Sequence, residues 1–125
     1  MGTILVVDDE PPILHVLVET LLDEGHTVLS AFDGVAAQDL LSRDPPDLVI
    51  SDVMMPRLDG LGLVRWMRTQ ALLRDVPIIL TSAMPAAPQL DEVGPATFIA
   101  KPFDLALLLD AVDDALGDSA SFERG

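Results

Sequence analysis

The groups in this sequence that could do chemistry fall in four short stretches, namely Asp8-Asp9-Glu10, Asp52, Thr81-Ser82 and Lys101-Pro102. Lys101 is the only lysine, and the other side chains with a permanent positive charge are all arginines. Lysine is a compact, flexible point charge, whereas arginine is a planar fork. The choice of lysine at this one position therefore indicates a site that needs an ammonium group.

If these stretches meet, they make a site for a phosphoryl group. Clustered carboxylates repel one another, and such a cluster persists where a cation neutralises it. Oxygen ligands without histidine or cysteine fit Mg²⁺ best. A divalent ion beside a hydroxyl and an ammonium would spread the charge of a phosphoryl group during transfer. Asp52 is then the natural nucleophile, and its attack would form an acyl phosphate.

Each of these residues also has an ordinary structural role. Asp9 stands where a helix N-cap is expected, Asp52 could cap the turn that follows it, and Thr81 could bond to its own backbone. Taken singly, each residue is sufficiently explained by its structural role. The chemical interpretation depends on whether the fold brings them together.

Five short apolar or β-branched runs predict buried strands, at residues 4–7, 27–31, 48–51, 76–81 and 97–99. They lack the alternation of a half-exposed strand, which is typical of a parallel sheet with helices on both faces. In such a sheet the carboxyl ends of the strands share the edge where ligands bind. The four stretches with reactive side chains lie at or just beyond the ends of four of these strands, so we expect them at that edge.

The segments between the strands have the apolar spacing of helices. This spacing predicts helices at residues 11–24, 35–43, 60–69 and 104–116, and Gly117 is expected to end the last of them. A further helix, the fourth in chain order, has room for only a couple of turns around 89–93, because three prolines surround it. Alternating strands and helices indicate a doubly wound α/β domain.

The composition bounds the class of protein. The chain has 125 residues with 7 Lys and Arg against 21 Asp and Glu, a formal charge of −14, and half of it is hydrophobic. We therefore expect one folded domain whose surface repels nucleic acid and anionic lipid. The absence of cysteine excludes disulfides and thiol chemistry. No apolar run is long enough to cross a membrane, and we expect a soluble cytoplasmic protein.

Four motifs resemble the receiver domain of two-component response regulators: Ile4-Leu5-Val6-Val7-Asp8-Asp9-Glu10, Asp52-Val53-Met54-Met55-Pro56-Arg57-Leu58-Asp59-Gly60, Thr81-Ser82-Ala83 and Phe98-Ile99-Ala100-Lys101-Pro102-Phe103. They occur in order and cover the chain to about residue 116. The resemblance implies a five-stranded parallel sheet of order 2-1-3-4-5. It also implies a receiver domain at residues 1–117, with 118–125 as a tail or the start of a linker.

The resemblance also implies a phosphodonor and a metal. Asp52 would accept a phosphoryl group from the phosphohistidine of a sensor kinase or a phosphotransfer protein. Mg²⁺ would be bound by Asp9, Asp52 and the backbone carbonyl of Met54. Asp8 would act on the ion through water.

Further roles follow from the same resemblance. Lys101 would pair with the phosphoryl group and help catalyse its transfer together with Thr81. Thr81 and Phe98 would form the switch pair that changes conformation. The peptide bond before Pro102 would be cis.

The sequence departs from the family pattern in two places. The span between Thr81 and Phe98 is short and rich in proline, which shortens the fourth helix and affects the face that signals onward in relatives. Met54 and Ala83 stand where many relatives have polar residues beside the phosphorylation site. This second departure bears on the lifetime of the acyl phosphate.

Two other functions fit parts of the pattern. Aspartyl-phosphate phosphatases of the haloacid dehalogenase type use similar groups, but they place the nucleophile after the first strand as Asp-x-Asp, where this chain has adjacent Asp8 and Asp9. An interaction module or phosphate sink without its own output is the second. We expect instead a phosphoacceptor that is not a stand-alone metabolic enzyme. Its signal would pass to an effector domain or a downstream protein. Its oligomeric state would be a monomer or a weak dimer.

Overall fold

The structure is a computed structural model that describes residues 2–55, 57–83 and 96–124, with side chains described as far as residue 116 in the last stretch. In chain order these ranges hold β1 (Thr3–Val7), α1 (Pro11–Asp23), β2 (Thr27–Ala31), α2 (Gly34–Arg43), β3 (Leu48–Asp52), α3 (Gly60–Arg68), β4 (Ile78–Ser82), β5 (Ala96–Ala100) and α4 (Leu105–Arg124). The short helix predicted around 89–93 lies outside the described residues.

The strands form one parallel sheet in the order β2-β1-β3-β4-β5. This confirms the predicted doubly wound α/β fold and its strand order. Because β1 lies between β2 and β3, the chain winds outward from it in both directions. The strand order reverses beside the carboxyl ends of β1 and β3, which is where ligands bind in such sheets.

Helices cover the sheet on both faces, as the unbroken apolar strands predict. Alternate residues of a strand point to opposite sides, so Leu5 and Val7 pack with α2 and α3, whereas Ile4 and Val6 pack with α1 and α4. Burying a side chain of this size contributes roughly 1.5–3 kcal/mol. These two apolar layers hold the carboxyl edge of the sheet in place.

The helices α2 and α3 begin at aspartates whose side chains cap them. Asp33 and Asp59 cap α2 and α3, since their side chains accept hydrogen bonds from the backbone N–H groups of Ala36 and Gly62, both at 2.8 Å. The N-cap of α1 is Glu10, which makes no capping hydrogen bond through its side chain. The capping role considered for Asp9 is therefore wrong.

Two predicted boundaries are also wrong. The last helix does not end at Gly117, because α4 continues to Arg124. A glycine inside a helix costs about 1 kcal/mol relative to alanine, which weakens a helix without ending it, and no proline follows. β4 begins at Ile78 and not at residue 76, since Pro77 has no N–H group to pair in a sheet. Within the part of the chain that the structure describes, no helix has the length and apolar character to cross a membrane.

Candidate functional site

Lys101 joins the carboxylates at the ends of β1 and β3, at the carboxyl edge of the sheet. Its Nζ atom lies 3.0 Å from Asp8 Oδ2, 3.2 Å from Asp52 Oδ2 and 3.3 Å from Glu10 Oε1. Asp8 and Asp52 leave neighbouring strands at the same level, because Val7 pairs with Ser51. The topology thus brings together groups that are 44 and 49 residues apart: Asp8 with Asp52, and Asp52 with Lys101.

The backbone after β5 fixes where this lysine begins. The N–H group of Lys101 donates a 2.7 Å hydrogen bond to the carbonyl of Ser82, at the end of β4. The Lys101–Pro102 peptide bond is cis, as the resemblance implies. The lysine side chain then extends past the end of β4 to reach β3 and β1.

Most of this ion-paired group is shielded from water. The side chains of Asp8, Asp52 and Lys101 are 1%, 5% and 9% exposed, while that of Glu10 is 57% exposed. Buried charges of this kind persist only when they are paired. Asp8 and Asp52 are paired through one ammonium, and Glu10 reaches the same ammonium from the solvent side.

Burial and pairing act in opposite directions on the acid–base groups. Burial raises the pKa of Asp52, and the hydrogen bond and charge of Lys101 offset this only in part. Burial alone would lower the pKa of Lys101, but the hydrogen bonds and charges of Asp8 and Asp52 outweigh it and leave that pKa raised. Lys101 is therefore a cation at neutral pH, and it favours the ionised form of Asp52.

The carboxylates form a compact oxygen cluster. One carboxylate oxygen from each of four side chains lies within 4.8 Å of the others, those of Asp8, Asp9, Glu10 and Asp52. The Oδ1 atom of Asp8 accepts a 2.9 Å hydrogen bond from the N–H of Glu10. The cluster has four carboxylates, and the Lys101 ammonium contacts three of them, which leaves an excess of negative charge that a divalent cation would offset. All four groups offer hard oxygen ligands, which fit Mg²⁺.

The remaining predicted residues lie around this cluster. Thr81 is buried and pairs with Asp52 across the β3–β4 register. Phe98 is half-buried in β5, where it packs against the apolar layer under α2 and α3 and not within the ion-paired group. Met54 is 60% exposed and donates its N–H to Asp52 Oδ1 at 3.4 Å. Ala83 is exposed at the end of β4.

Two features of the site were not predicted from the sequence. The sequence places Glu10 in the acidic run but predicts no separate role for it, and its contact with Lys101 cannot be inferred from spacing. The loop after β3 is tied to the start of α2 by an ion pair between Arg57 and Asp33. Arg57 holds a left-handed backbone conformation with φ of 68°, uncommon outside glycine.

Gly60 is required where α3 passes close behind Asp52. A Cβ atom at residue 60 would collide with the backbone carbonyl oxygen of Asp52 and lie 2.9 Å from Cα of Val53. Gly62 is a matched control in the same helix, because a Cβ there would meet Leu58 Cδ1, the movable end of a side chain. We expect Gly60→Ala to lower the free energy of unfolding by about 1–3 kcal/mol, the cost of overpacking.

Urea denaturation of both variants measures this difference. Gly62→Ala should change stability much less, because Leu58 can give way and alanine favours the helix. If Gly60→Ala is no less stable than Gly62→Ala, the close approach to the Asp52 backbone is not a real constraint.

Comparison with known proteins identifies the family. The family model for the response regulator receiver domain matches residues 4–113. The chain is 37% identical over 120 residues to the transcriptional regulatory protein GlrR of Escherichia coli K12, covering 94% of this chain and 27% of that protein. It is 38% identical over 131 residues to the response regulator MprA of Mycolicibacterium vanbaalenii, covering 94% and 55%.

Solved structures agree with the sequence matches. The signal receiver domain of a signal transduction histidine kinase from Syntrophus aciditrophicus has a TM-score of 0.86 and 36% identity, covering 94% of this chain and 91% of that one. The chemotaxis protein CheY4 of Vibrio cholerae has a TM-score of 0.86 and 31% identity, covering 93% and 99%. The chain belongs to the response regulator receiver domain family of two-component signalling.

Membership settles the class and corrects one expectation. Receiver domains are generally not metabolic enzymes, and the haloacid dehalogenase alternative is not favoured. The chain spans only 27% and 55% of the lengths of GlrR and MprA. The exclusion of nucleic acid as a partner was too broad, because GlrR is named a transcriptional regulatory protein. The charge argument applies to the surface of this chain and not to a longer protein that contains such a domain.

Proposed function

We propose that this domain accepts a phosphoryl group on Asp52 from the phosphohistidine of a sensor histidine kinase or a phosphotransfer protein. A carboxylate oxygen of Asp52 would attack the phosphorus. The new O–P bond would form as the N–P bond breaks, and the imidazole would leave with the electron pair of the broken bond. The observation that carries this proposal is the contact of Lys101 with both Asp8 and Asp52 at the point where the strand order reverses.

The acidic cluster supports Mg²⁺ as the cofactor, because its oxygens are close together and in excess over the cationic charge. We propose Asp9, Asp52 and the backbone carbonyl of Met54 as ligands, with Asp8 acting through water. When bound, Mg²⁺ supplies neutralisation of the charge on the phosphoryl oxygens.

Lys101 and Thr81 would complete the surroundings of the phosphoryl group. Lys101 holds its proton, as its raised pKa requires, and would donate a hydrogen bond to a phosphoryl oxygen. Thr81 pairs with Asp52 across the sheet and would offer its hydroxyl from the next strand. Both are held at the carboxyl ends of strands, which fixes where their side chains begin beside Asp52.

Phosphorylation with a small donor tests the proposal. The chain is incubated with acetyl phosphate with Mg²⁺ or with EDTA, and the modified residue is mapped by mass spectrometry. We expect one phosphoryl group, on Asp52, only with Mg²⁺. Modification of another residue, or equal modification in EDTA, would refute the proposal.

Three further expectations stay predictions. They are the cytoplasmic location, the domain boundary at residue 117 and the monomeric or weakly dimeric state.

We propose a switch that couples the phosphoryl group to Phe98. Phosphorylation should draw the Thr81 hydroxyl toward the phosphoryl oxygens and let the Phe98 ring move into the space vacated. NMR spectra with and without beryllofluoride should then differ at residues 96–103, and Thr81→Ala should reduce that change. Unchanged signals at these residues would show that the pair does not switch.

Met54 and Ala83 should lengthen the life of the acyl phosphate. Hydrolysis needs a water in line with the bond from Asp52 to phosphorus, and polar groups at these positions can orient one. Met54 offers exposed apolar bulk, and Ala83 offers no polar group. We expect Met54→Asn and Ala83→Glu to speed decay, with about 1.4 kcal/mol in the barrier giving a tenfold change. A decay time course measures this, and unchanged rates in both variants would exclude control by these positions.

A further inference from the structure

The ammonium of Lys101 has no hydrogen left to give. A lysine ammonium has three N–H donors and no acceptor. Asp8, Asp52 and Glu10 each place one carboxylate oxygen within 3.0–3.3 Å of Nζ. To donate to a phosphoryl oxygen, Lys101 must therefore release one of these partners.

Glu10 is the partner that can leave. Asp8 is buried, and its other oxygen is held by the N–H of Glu10 at 2.9 Å. Asp52 is the proposed acceptor and carries the phosphoryl group itself. The Glu10 side chain is 57% exposed and can turn into water without moving the backbone N–H that holds Asp8.

Glu10 also lies on the approach to Lys101. A groove of about 630 Å³ is lined by Glu10, Ala83, Lys101 and apolar residues of α1 and of the segment after β5. A phosphodonor that reaches Lys101 through this groove passes the Glu10 carboxylate. In the unphosphorylated domain, that carboxylate holds the position that an anionic phosphoryl oxygen would take.

We propose that Glu10 is a positioning residue that competes with the phosphoryl group for Lys101 and is displaced from it on phosphorylation. This proposal rests on the proposed function, because it needs Asp52 to be the acceptor. Glu10 then lowers the affinity for anionic phosphodonors. An exposed ion pair of this kind corresponds to roughly a two- to fivefold effect on binding.

Glu10→Gln removes the charge, and Glu19→Gln is its matched control. Glu19 lies on α1, the helix that Glu10 precedes, and its side chain is 58% exposed and lies 3.9 Å from His15 Nε2. At saturating Mg²⁺, Glu10→Gln should bind beryllofluoride and accept phosphate from acetyl phosphate roughly two- to fivefold more readily than wild type. Glu19→Gln should match wild type. Equal gains in both variants, or none in Glu10→Gln, would overturn the proposal.

The single lysine gives a second measurement that does not depend on phosphoryl transfer. In protein labelled with ¹⁵N-lysine, the one side-chain signal should differ between wild type and Glu10→Gln, and the two signals should coincide once beryllofluoride is bound. Signals that differ equally with and without beryllofluoride would show that Glu10 is not displaced.

Wild type and both variants are compared at one low salt concentration, because screening at high salt weakens an exposed ion pair as well as long-range repulsion. Glu19→Gln then controls for long-range repulsion. A wild type that is not modified on Asp52 at all would overturn the proposed function as well. Normal modification of wild type, with no difference in Glu10→Gln, would overturn the competition alone.

Discussion

Asp52→Ala should abolish phosphorylation, while the wild-type chain takes up one phosphoryl group from acetyl phosphate in the presence of Mg²⁺. Asp52 is the carboxylate that both contacts Lys101 and stands at the end of the central strand β3. Asp8 is tied to two other groups, and Glu10 faces water. Intact-mass spectrometry measures the result directly, and equal modification of Asp52→Ala would refute the assignment.

Two controls separate lost chemistry from lost folding. Asp39→Ala removes an exposed carboxylate paired with Arg43 on α2, and it should be phosphorylated like wild type. Asp52→Asn should lack phosphorylation and yet be at least as stable as wild type at neutral pH. Asp52→Asn removes a carboxylate whose charged form is disfavoured by burial, and single stabilising substitutions commonly contribute about 0.5–2 kcal/mol.

The sign of the stability change in Asp52→Asn follows from the pKa of Asp52. Burial raises that pKa, so the folded chain holds the proton more tightly than the unfolded chain does. The stability linked to Asp52 is present when it is protonated and is lost as the pH rises through the folded pKa. Urea denaturation should therefore show the advantage of Asp52→Asn shrinking as the pH falls. An advantage that grows toward low pH would contradict this sign.

The fold could be predicted because its signals are local and repeated. Continuous short apolar runs are typical of strands buried on both faces, and the central strands β1, β3 and β4 are such strands. The end of α4 could not be predicted in this way. A glycine such as Gly117 ends a helix only where the chain also turns, and spacing alone does not reveal a turn.

The site could be predicted as far as topology dictates it. A parallel sheet must bring Asp8, Asp52 and Lys101 to one edge, whatever their side chains do there. The Glu10 contact depends on how far a side chain reaches, and three adjacent acids do not reveal which of them will meet the lysine. The link from Arg57 to Asp33 depends on the path of two loops, for which the sequence has no periodic signal.

Lys101→Arg should impair phosphorylation although it keeps the positive charge. The Lys101 ammonium is 9% exposed and directs its three hydrogens to carboxylates of two strand ends and a helix start. A planar guanidinium cannot point donors in these three directions, and it needs more room than a shielded site offers. We expect the rate of phosphorylation to fall at least about tenfold, which corresponds to about 1.4 kcal/mol in the barrier.

The comparison with Lys101→Ala and Arg43→Lys makes this prediction specific. Lys101→Ala leaves Asp8 and Asp52 without their cation, and breaking such a buried pair costs about 3–5 kcal/mol. The pKa of Lys101 is raised, so its contribution is present below the lysine pKa of the unfolded chain and is lost only as the pH rises through the higher folded value. Arg43→Lys exchanges arginine for lysine at an exposed position of α2, and it should leave phosphorylation unchanged. A Lys101→Arg chain that is phosphorylated as fast as wild type would show that the charge alone matters and not the geometry of the ammonium.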